Sequence, residues 1–456
     1  MARESAGGDE TPKPASAVLG RSIVSTLLRL AAPNWVVMVT LAAVSMIDIF
    51  FVARLGLDAL TGVSMTFPML MLMQTMAAGG MGGGVASAVA RAVGAGKQED
   101  VDGVTAQALL VAVGMAALFA AIFVGFGHAL YGVIGASDAA LEAATAYSNV
   151  IFLGAVVMWS FHLLAAAVRG SGNMVFPAGL IILTQLIHVG LCPALIFGVG
   201  PLPAFGVRGA ALSSIFSFVP GLGALVVYLV SGRGAVRLSA RHLRLRPAVL
   251  WEILRVGLPA STNNVLTNTN VMILAGLVGR HGSEAVAGFS VACRIEYVMA
   301  PLAFGLGTGI LTLVGTETGA GNRDRARRIA WIGAAMTAML VGGIGLIAFV
   351  WPAGLIGQFS TDASVLATGT QYLRLVSPAY VFFGLGIGLW FAAQGAGRVR
   401  WPLMGSLSRI VVGSAGGWLA VCVFGGGLSS LFLLVALSFV TFGSIIAIAT
   451  WSGKVV

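Results

Sequence analysis

A lone carboxylate in an apolar stretch is the residue of this chain best placed to do chemistry. The stretch PNWVVMVTLAAVSMIDIFFV runs from Pro33 to Val52, and its one ionisable side chain is that of Asp48. A charged residue in hydrocarbon costs on the order of 3 kcal/mol even on lenient insertion scales, so it usually faces protein or a wet cavity and serves a function. A carboxyl group can take up and release a proton there, which predicts an ion-coupling role for Asp48.

A histidine at a comparable depth is the predicted companion of Asp48. Asp48 lies about 15 residues, or roughly 22 Å, into its segment, and His188 lies about 11 residues into the fifth apolar segment. The two side chains can therefore share a small polar chamber, directly or through water. One carboxylate offers a sodium ion few hard oxygen ligands, whereas a proton needs a single group. We expect H⁺ as the coupling ion, with Na⁺ as the alternative, and neither a bound metal nor another cofactor.

The second half of the chain carries its own charges inside apolar segments. Glu296 lies about 9 residues from one end of its segment and Arg409 about 7 residues from the other end of its own, which leaves a vertical gap of about 7 Å. Long side chains can bridge that gap, so we expect a structural Glu296–Arg409 pair between two helices. The alternative is that Glu296 contacts a cationic substrate or a proton.

Other polar and flexible side chains are candidates for a substrate cleft. Asn264 and Asn268 are four residues apart and share a face of the amide-rich seventh segment. Met73 and Gln74 lie in the methionine-rich second segment, and methionine adapts to ligands of varied shape. Interhelical hydrogen bonding and core packing are the alternative roles for these four residues.

The composition is that of an integral membrane protein. Hydrophobic residues make up 58% of the 456 residues and charged residues 9%, against about 25% in a soluble domain. The three cysteines fall inside apolar segments and are expected to be small packing residues. We find no nucleophile–base set, metal-ligand cluster or sizeable soluble domain, so an enzyme or receptor is disfavoured.

Twelve apolar segments are long enough to span a bilayer. They cover residues 33–53, 66–90, 104–126, 146–168, 177–198, 208–230, 256–278, 288–314, 329–351, 366–392, 402–424 and 428–451. If the N-terminus is inside, 20 of the 26 Lys and Arg residues lie on the inner side and three on the outer side. This asymmetry predicts that both termini are cytoplasmic, in a cell inner membrane. It also explains the net charge of +10 without nucleic acid.

The two halves of the chain repeat each other. LLRLAAP at 27–33 matches ILRVGLP at 253–259, and SDAALEAATAY at 137–147 matches DASVLATGTQY at 362–372. The repeat predicts two six-helix lobes with the substrate site between them. The predicted units are a disordered cytoplasmic tail (1–25), a first lobe (26–230), a cytoplasmic linker (231–255), a second lobe (256–451) and a tail (452–456).

These repeats, in this order, resemble the multidrug and toxic compound extrusion family. The matching features are Pro33 and Asp48 fifteen residues apart, FVARLGLDALTGVS, GGMGGG leading to RAVGAGK, and RIEYVMAPLAFGLGTG followed by VGTETGAGN. The resemblance covers the chain from about residue 25. It implies an all-helical membrane protein of twelve spans in two pseudo-symmetric lobes, in which the first-span aspartate couples ions and the first-span proline marks a helix bend.

The fifth segment departs from that family. Many members carry Asn-x-x-x-Asp-Pro there, whose Asn and Asp join the first-span carboxylate in a cation site. This chain reads His188-Val-Gly-Leu-Cys192-Pro193. A sixth-span hydroxyl that completes the family's site has its counterpart in Ser213 or Ser214.

The resemblance implies a monomeric secondary transporter, in contact with membrane lipid, that exports cationic or amphipathic organic compounds by proton antiport and alternating access between the lobes. The alternatives are a sodium-coupled drug antiporter and a lipid-linked saccharide flippase of the same superfamily. The flippases tend to have extra spans and a strongly cationic cavity, whereas this chain has twelve spans and three intramembrane arginines.

Overall fold

A computed structural model describes residues 22–133, 137–200, 203–242 and 244–456. Throughout these ranges the regular secondary structure is helical. The predicted tail falls outside the described residues as far as residue 21, and the first helix already begins at Ile23.

The described residues of the first half of the chain form eight α-helices. They are α1 (Ile23–Ala53), α2 (Leu57–Thr75), α3 (Gly82–Gly94), α4 (Gln98–Val133), α5 (Asp138–Leu153), α6 (Ala155–Gly170), α7 (Val175–Phe197) and α8 (Val207–Val230). A π-helical turn, Met76–Met81, joins α2 to α3 without a break.

The second half forms nine more. They are α9 (Pro247–Gly279), α10 (Ser283–Gly319), α11 (Arg323–Val350), α12 (Pro352–Gly357), α13 (Ala363–Val376), α14 (Tyr380–Gly395), α15 (Arg400–Arg409), α16 (Gly416–Trp418) and α17 (Leu428–Trp451). One 3₁₀ turn, Ser377–Ala379, joins α13 to α14, and two π-helical turns, Ile410–Ala415 and Leu419–Val423, flank α16.

These helices make the expected twelve spans in two lobes. Within the described ranges nine helical segments are long and apolar enough to cross a membrane, and α5 with α6 forms a tenth span bent by 48°. The other two are the segmented helix from α2 to α3 and the amide-rich α9, where glycine and asparagine lower the hydropathy.

Helix α9 begins earlier than expected. We assigned 231–255 to the linker, whereas α9 starts at Pro247 and includes the last nine residues of that range. Proline favours the first turn of a helix because its missing N–H would have no partner there. Helix α9 therefore extends beyond the apolar segment, into the range predicted as the linker.

Helix α1 lies between the lobes and positions Asp48. It packs against α7 of the first lobe and α10 of the second. The helix is continuous through Pro33, although a proline inside a helix removes one backbone hydrogen bond. Small residues let the lobes approach closely along α3, since a Cβ at Gly84 would lie 2.6 Å from the carbonyl oxygen of Ile253 in α9.

Candidate functional site

Asp48 and His188 are in direct contact. Asp48 Oδ1 lies 2.8 Å from His188 Nε2, across the interface between α1 and α7. The Asp48 side chain is 39% exposed and that of His188 is 6% exposed. The carboxylate therefore reaches both the space outside the lobe and a buried imidazole, which is an arrangement suited to moving a proton between water and the interior.

Cys192 lies beside this pair. A carboxylate oxygen of Asp48, a ring nitrogen of His188 and the sulfur of Cys192 all lie within 4.8 Å of one another. His188 and Cys192 share a face of α7 because they are four residues apart. Pro193 follows at once, and its missing N–H leaves one carbonyl of this turn without its usual helical partner.

Hydroxyl groups from neighbouring helices surround the cluster. Ser213 of α8 is buried within hydrogen-bonding reach of the Cys192 thiol, and its hydroxyl also donates to the Ala210 carbonyl at 2.8 Å. Ser214 donates to the same carbonyl at 3.2 Å and lies within reach of the Tyr147 hydroxyl. Among the described residues, the hydrogen bonds of the two serine hydroxyls go to the Ala210 carbonyl, and the partner of Asp48 is His188.

The second lobe places Glu296 between two tyrosines. The Tyr372 hydroxyl donates to Glu296 Oε1 at 2.5 Å, and the Tyr380 hydroxyl donates to the same oxygen at 3.0 Å. Both tyrosines are fully buried, and Cys293 lies nearby on α10. These hydrogen bonds satisfy the carboxyl group from within its own lobe.

The expected direct pair between Glu296 and Arg409 is therefore wrong. No ion pair joins them among the described residues. The Arg409 guanidinium is 5.1 Å from the ring centre of Phe383, 4.8 Å from Phe439 and 5.7 Å from Phe442. The tyrosine hydroxyls take the position next to the carboxylate, and Arg409 acts on Glu296 only through longer-range electrostatics.

The amides of α9 divide between two faces. Asn263 and Asn270 face α15 and its continuation, where their Oδ1 atoms accept from Ser406 at 2.5 Å and Ser414 at 2.7 Å. Asn264 donates to the Thr75 carbonyl at 3.1 Å, across the two lobes.

Asn268 is exposed and donates to the Asn264 carbonyl at 2.9 Å. Of the cleft candidates in α9, Asn268 is thus the more accessible, while Asn264 also helps to join the lobes.

The two second-span candidates differ from each other. Met73 is 1% exposed and belongs to the hydrophobic core, so the prediction that it lines the cleft is corrected. An unbranched thioether fills an irregular core gap well, and the glycine-rich turn that follows provides such irregularity. Gln74 is half-buried.

Hydrogen bonds between the lobes gather toward one end of the bundle. Asn34 donates to Thr308 Oγ1 at 2.8 Å, and Arg91 pairs with Glu252 at 3.0 Å and donates to the Gly395 carbonyl at 3.1 Å. We call this contact region, built from α3, the first halves of α1 and α9 and the last halves of α10 and α14, the seam. The seam holds the lobes together at the end that carries Arg91, while Asp48 lies toward the other end.

The sequence profile of the MatE family matches residues 33–194 and 259–419, which is one match in each lobe and more than half of the chain. The chain belongs to the MatE family. The two matched ranges correspond to the two halves of the repeat.

Curated relatives of this MatE chain are transporters. A FAD transporter of Shewanella oneidensis is 26% identical over 87% of this chain and 87% of its own length. A probable multidrug resistance protein, NorM, of Thermotoga maritima is 26% identical over 83% and 81%. The multidrug export protein MepA of Staphylococcus saprophyticus is 22% identical over 86% of both chains.

Solved structures share the MatE fold. A superfamily transporter from Pyrococcus furiosus, described as having a binding pocket of reverse polarity, superposes with a TM-score of 0.86 at 22% identity and covers 96% of this chain and 97% of its own. A MATE transporter in a bent conformation gives a TM-score of 0.88 at 21% identity with the same coverage.

Tyr147 lies near the cluster of Asp48, His188 and Cys192, and it was not predicted from the sequence. It is buried in α5 beside Ser214, close enough to Asp48 and Cys192 to interact with them electrostatically. The signal for it was present in the repeat, since SDAALEAATAY ends on Tyr147 and its match ends on Tyr372. A tyrosine kept in both halves inside apolar segments could have been placed among the candidates.

Proposed function

We propose that this chain exports cationic or amphipathic organic compounds in exchange for protons, with Asp48 as the proton-carrying group. The observation that carries the proposal is the 2.8 Å contact between the half-exposed Asp48 carboxylate and the buried His188 imidazole. Asp48 can receive a proton from water. Because its carboxylate contacts His188, a change in its charge also changes the contact between α1 and α7.

The contact explains how protonation changes the helices. With Asp48 ionised, His188 Nε2–H donates to its carboxylate. A protonated Asp48 keeps a carbonyl oxygen that can accept from Nε2–H, but this neutral hydrogen bond is weaker than the charge-assisted bond to the carboxylate. If the acid instead donated to Nε2, the ring hydrogen would move to Nδ1. Nδ1 is buried with no hydrogen-bond partner among the described residues, so an N–H there would cost about 1–3 kcal/mol. Proton uptake therefore weakens the link between α1 and α7.

Alternating access would use the seam as one of two gates. The distribution of Lys and Arg puts the Arg91 end of the bundle in the cytoplasm, with both termini on that side of a cell inner membrane. The closed seam then corresponds to an outward-facing state in which Asp48 communicates with the outside. A monomer surrounded by lipid suffices, because the cleft lies between two lobes of one chain.

The ligand set near Asp48 favours a proton over sodium. Sodium is best held by several hard oxygen atoms, and here His188 and Cys192 supply nitrogen and sulfur. We therefore keep sodium coupling as the alternative. The saccharide flippase is disfavoured because Arg409 is enclosed by aromatic rings and does not add charge to the cleft.

One relative suggests a second substrate class. The FAD transporter of Shewanella oneidensis matches over 87% of both chains, an extent comparable to that of the multidrug relatives. Flavin dinucleotide is a large amphipathic anion, so its export would need a cleft that tolerates phosphate. It belongs in the substrate panel as a competitor.

Uptake by proteoliposomes tests the proposal. Purified protein is reconstituted into liposomes. Uptake of a fluorescent organic cation is then measured, first under an imposed pH gradient and then under a sodium gradient of equal size. We expect transport driven by the pH gradient and abolished by a protonophore. Transport driven by sodium alone would overturn proton coupling, and transport of FAD by liposomes that do not transport the cation would favour the flavin substrate.

A further inference from the structure

We infer that Asp48, His188 and Cys192 form a binding site for a soft divalent transition-metal ion of the Zn²⁺ and Cd²⁺ type. The site was not expected from the sequence, which places Asp48 in α1 at 140 or more positions from His188 and Cys192 in α7. It becomes apparent only when the fold brings one oxygen, one nitrogen and one sulfur atom together.

The ligand types match zinc better than the alkali or alkaline-earth ions. Zinc takes cysteine sulfur, histidine nitrogen and carboxylate oxygen, commonly with three protein ligands and one exchangeable position. Calcium and magnesium require oxygen ligands. Among the described residues this is the single set of three His, Cys, Asp or Glu side chains close enough together to hold one ion.

The separations bracket those of a tetrahedral site. Ligands about 2.0–2.3 Å from an ion lie about 3.3–3.8 Å from each other. The three ligand atoms lie within 4.8 Å of one another, and the Asp48–His188 pair is at 2.8 Å. An ion therefore requires the Asp48 and His188 atoms to move apart and the widest separation to shorten, each by about 1 Å or less, which is within the reach of side-chain rotation.

The imidazole and the thiol are both available. Asp48 is the one hydrogen-bond partner of His188 Nε2 among the described residues, so an ion that displaces this contact gains a free ring nitrogen. The ring hydrogen then lies on the buried Nδ1, which has no partner there and lowers the affinity. Cys192 is free of any disulfide and is 1% exposed. On binding, the ion forms a bond to sulfur and the thiol proton passes to water.

The exposed side of the cluster provides the fourth position. The Asp48 side chain is 39% exposed, whereas that of His188 is 6% exposed, so the Asp48 side of the cluster is open to water. An ion held there would also occupy the carboxylate that the proposed function uses. Inhibition of export by zinc is a consequence that rests on that function, whereas binding itself does not.

Metal titration of the full-length protein in detergent tests the site without measuring transport. The affinity tag must contain no histidine, and Co²⁺ and Cd²⁺ serve as spectroscopic probes. We expect one equivalent of Co²⁺ to give the sulfur-to-metal charge-transfer band and the visible bands of a tetrahedral ion, displaced by Zn²⁺ and unaffected by a large excess of Na⁺. No such band in the wild-type protein would overturn the inference.

Three cysteine variants assign the sulfur. Cys192→Ser should abolish the thiolate band and weaken binding more than about 100-fold, beyond the loss typical of a supporting residue. Cys293→Ala and Cys422→Ala are matched controls, because these cysteines lie in the other lobe, and both should keep the band. A band that survives Cys192→Ser would overturn the site. If Cys192→Ser does not fold, the chain carrying both control substitutions gives the same test, because Cys192 is then its one cysteine. That chain should keep the band, and loss of the band would overturn the site.

Discussion

Tyr147 and Tyr372 occupy the same place in the two halves of the repeat, 225 residues apart. Tyr372 donates to the Glu296 carboxylate of its lobe, and Tyr147 is close enough to the Asp48 carboxylate to interact with it electrostatically. The carboxylates themselves are not related by the repeat. Asp48 comes from α1 and Glu296 from α10, and the residue that matches Asp48 in the second half is Leu274. The tyrosines near the two carboxylates are thus related by the repeat, whereas the carboxylates are not. This difference predicts that the two lobes have different functions.

Replacing Asp48 should separate coupling from folding. Asp48→Asn keeps the side-chain volume and a carbonyl oxygen that can accept from His188, so the protein should fold with an unchanged thermal midpoint. Because the amide cannot carry the proton, export driven by a pH gradient should fall to the level of empty liposomes.

The matched control for that change is Asp58→Asn. Asp58 is an exposed acid in the first turn of α2. It should retain export, and a full rate from Asp48→Asn in the same liposomes would contradict the coupling role.

The Glu296 cluster is expected to stabilise the second lobe. Tyr372→Phe removes one of the two donors to this carboxyl group, and a hydrogen bond to such a group contributes about 1–3 kcal/mol. The thermal midpoint in detergent should fall, while the dependence of transport on the pH gradient should persist.

Tyr297→Phe is the control, since Tyr297 is 59% exposed. It should leave the midpoint unchanged. An unchanged midpoint for Tyr372→Phe, together with loss of coupling in Glu296→Gln, would instead place Glu296 in the proton path.

Depth along a helix accounts for what the sequence could predict. Asp48 and His188 were paired from their levels in the membrane, and the helices α1 and α7 are neighbours, so the pairing agrees with the contact. The same reasoning failed for Glu296 and Arg409. The depth of a residue in the membrane does not determine the direction in which its side chain points. It also does not show whether another hydrogen-bond donor, such as a tyrosine hydroxyl, lies closer.

The metal set could not be predicted for a related reason. His188 and Cys192 stand in adjacent turns of α7, but a third ligand from α1 depends on how two helices rotate against each other. Likewise, the hydropathy of Met73 indicates apolar surroundings, but it does not distinguish the wall of a substrate cleft from the hydrophobic core in which the side chain is buried. Packing decides these questions, and it depends on all helices together.

The Arg91–Glu252 pair should help to keep the seam closed. The Arg91 side chain is 11% exposed and that of Glu252 38% exposed, so the pair is partly screened by water. Glu252→Gln should therefore shift the balance toward an open seam by about 1 kcal/mol, or about fivefold in population. This shift is measured as the distance distribution between spin labels, by double electron–electron resonance. The labels are attached to cysteines introduced at Lys97 and Asp324 in a chain without native cysteines.

Glu284→Gln is the control for the seam pair, since Glu284 is an exposed acid at the start of α10. It should leave the label distances unchanged. An identical distance distribution in Glu252→Gln and the parent chain would show that the backbone contacts close the seam without the ion pair.

The close approach of backbones at Gly94 should be needed for full closure. A Cβ at Gly94 would lie 1.9 Å from the carbonyl oxygen of Thr316 in α10, and a backbone atom cannot move aside as a side chain can. Gly94→Ala must push the lobes apart there, so the longer label distance should dominate and export should slow. Gly114→Ala is the matched control, because a Cβ at Gly114 meets nothing within 4 Å and alanine favours the helix by about 0.5–1 kcal/mol. Normal export and a closed seam in Gly94→Ala would mean that the lobes do not meet at this glycine during transport.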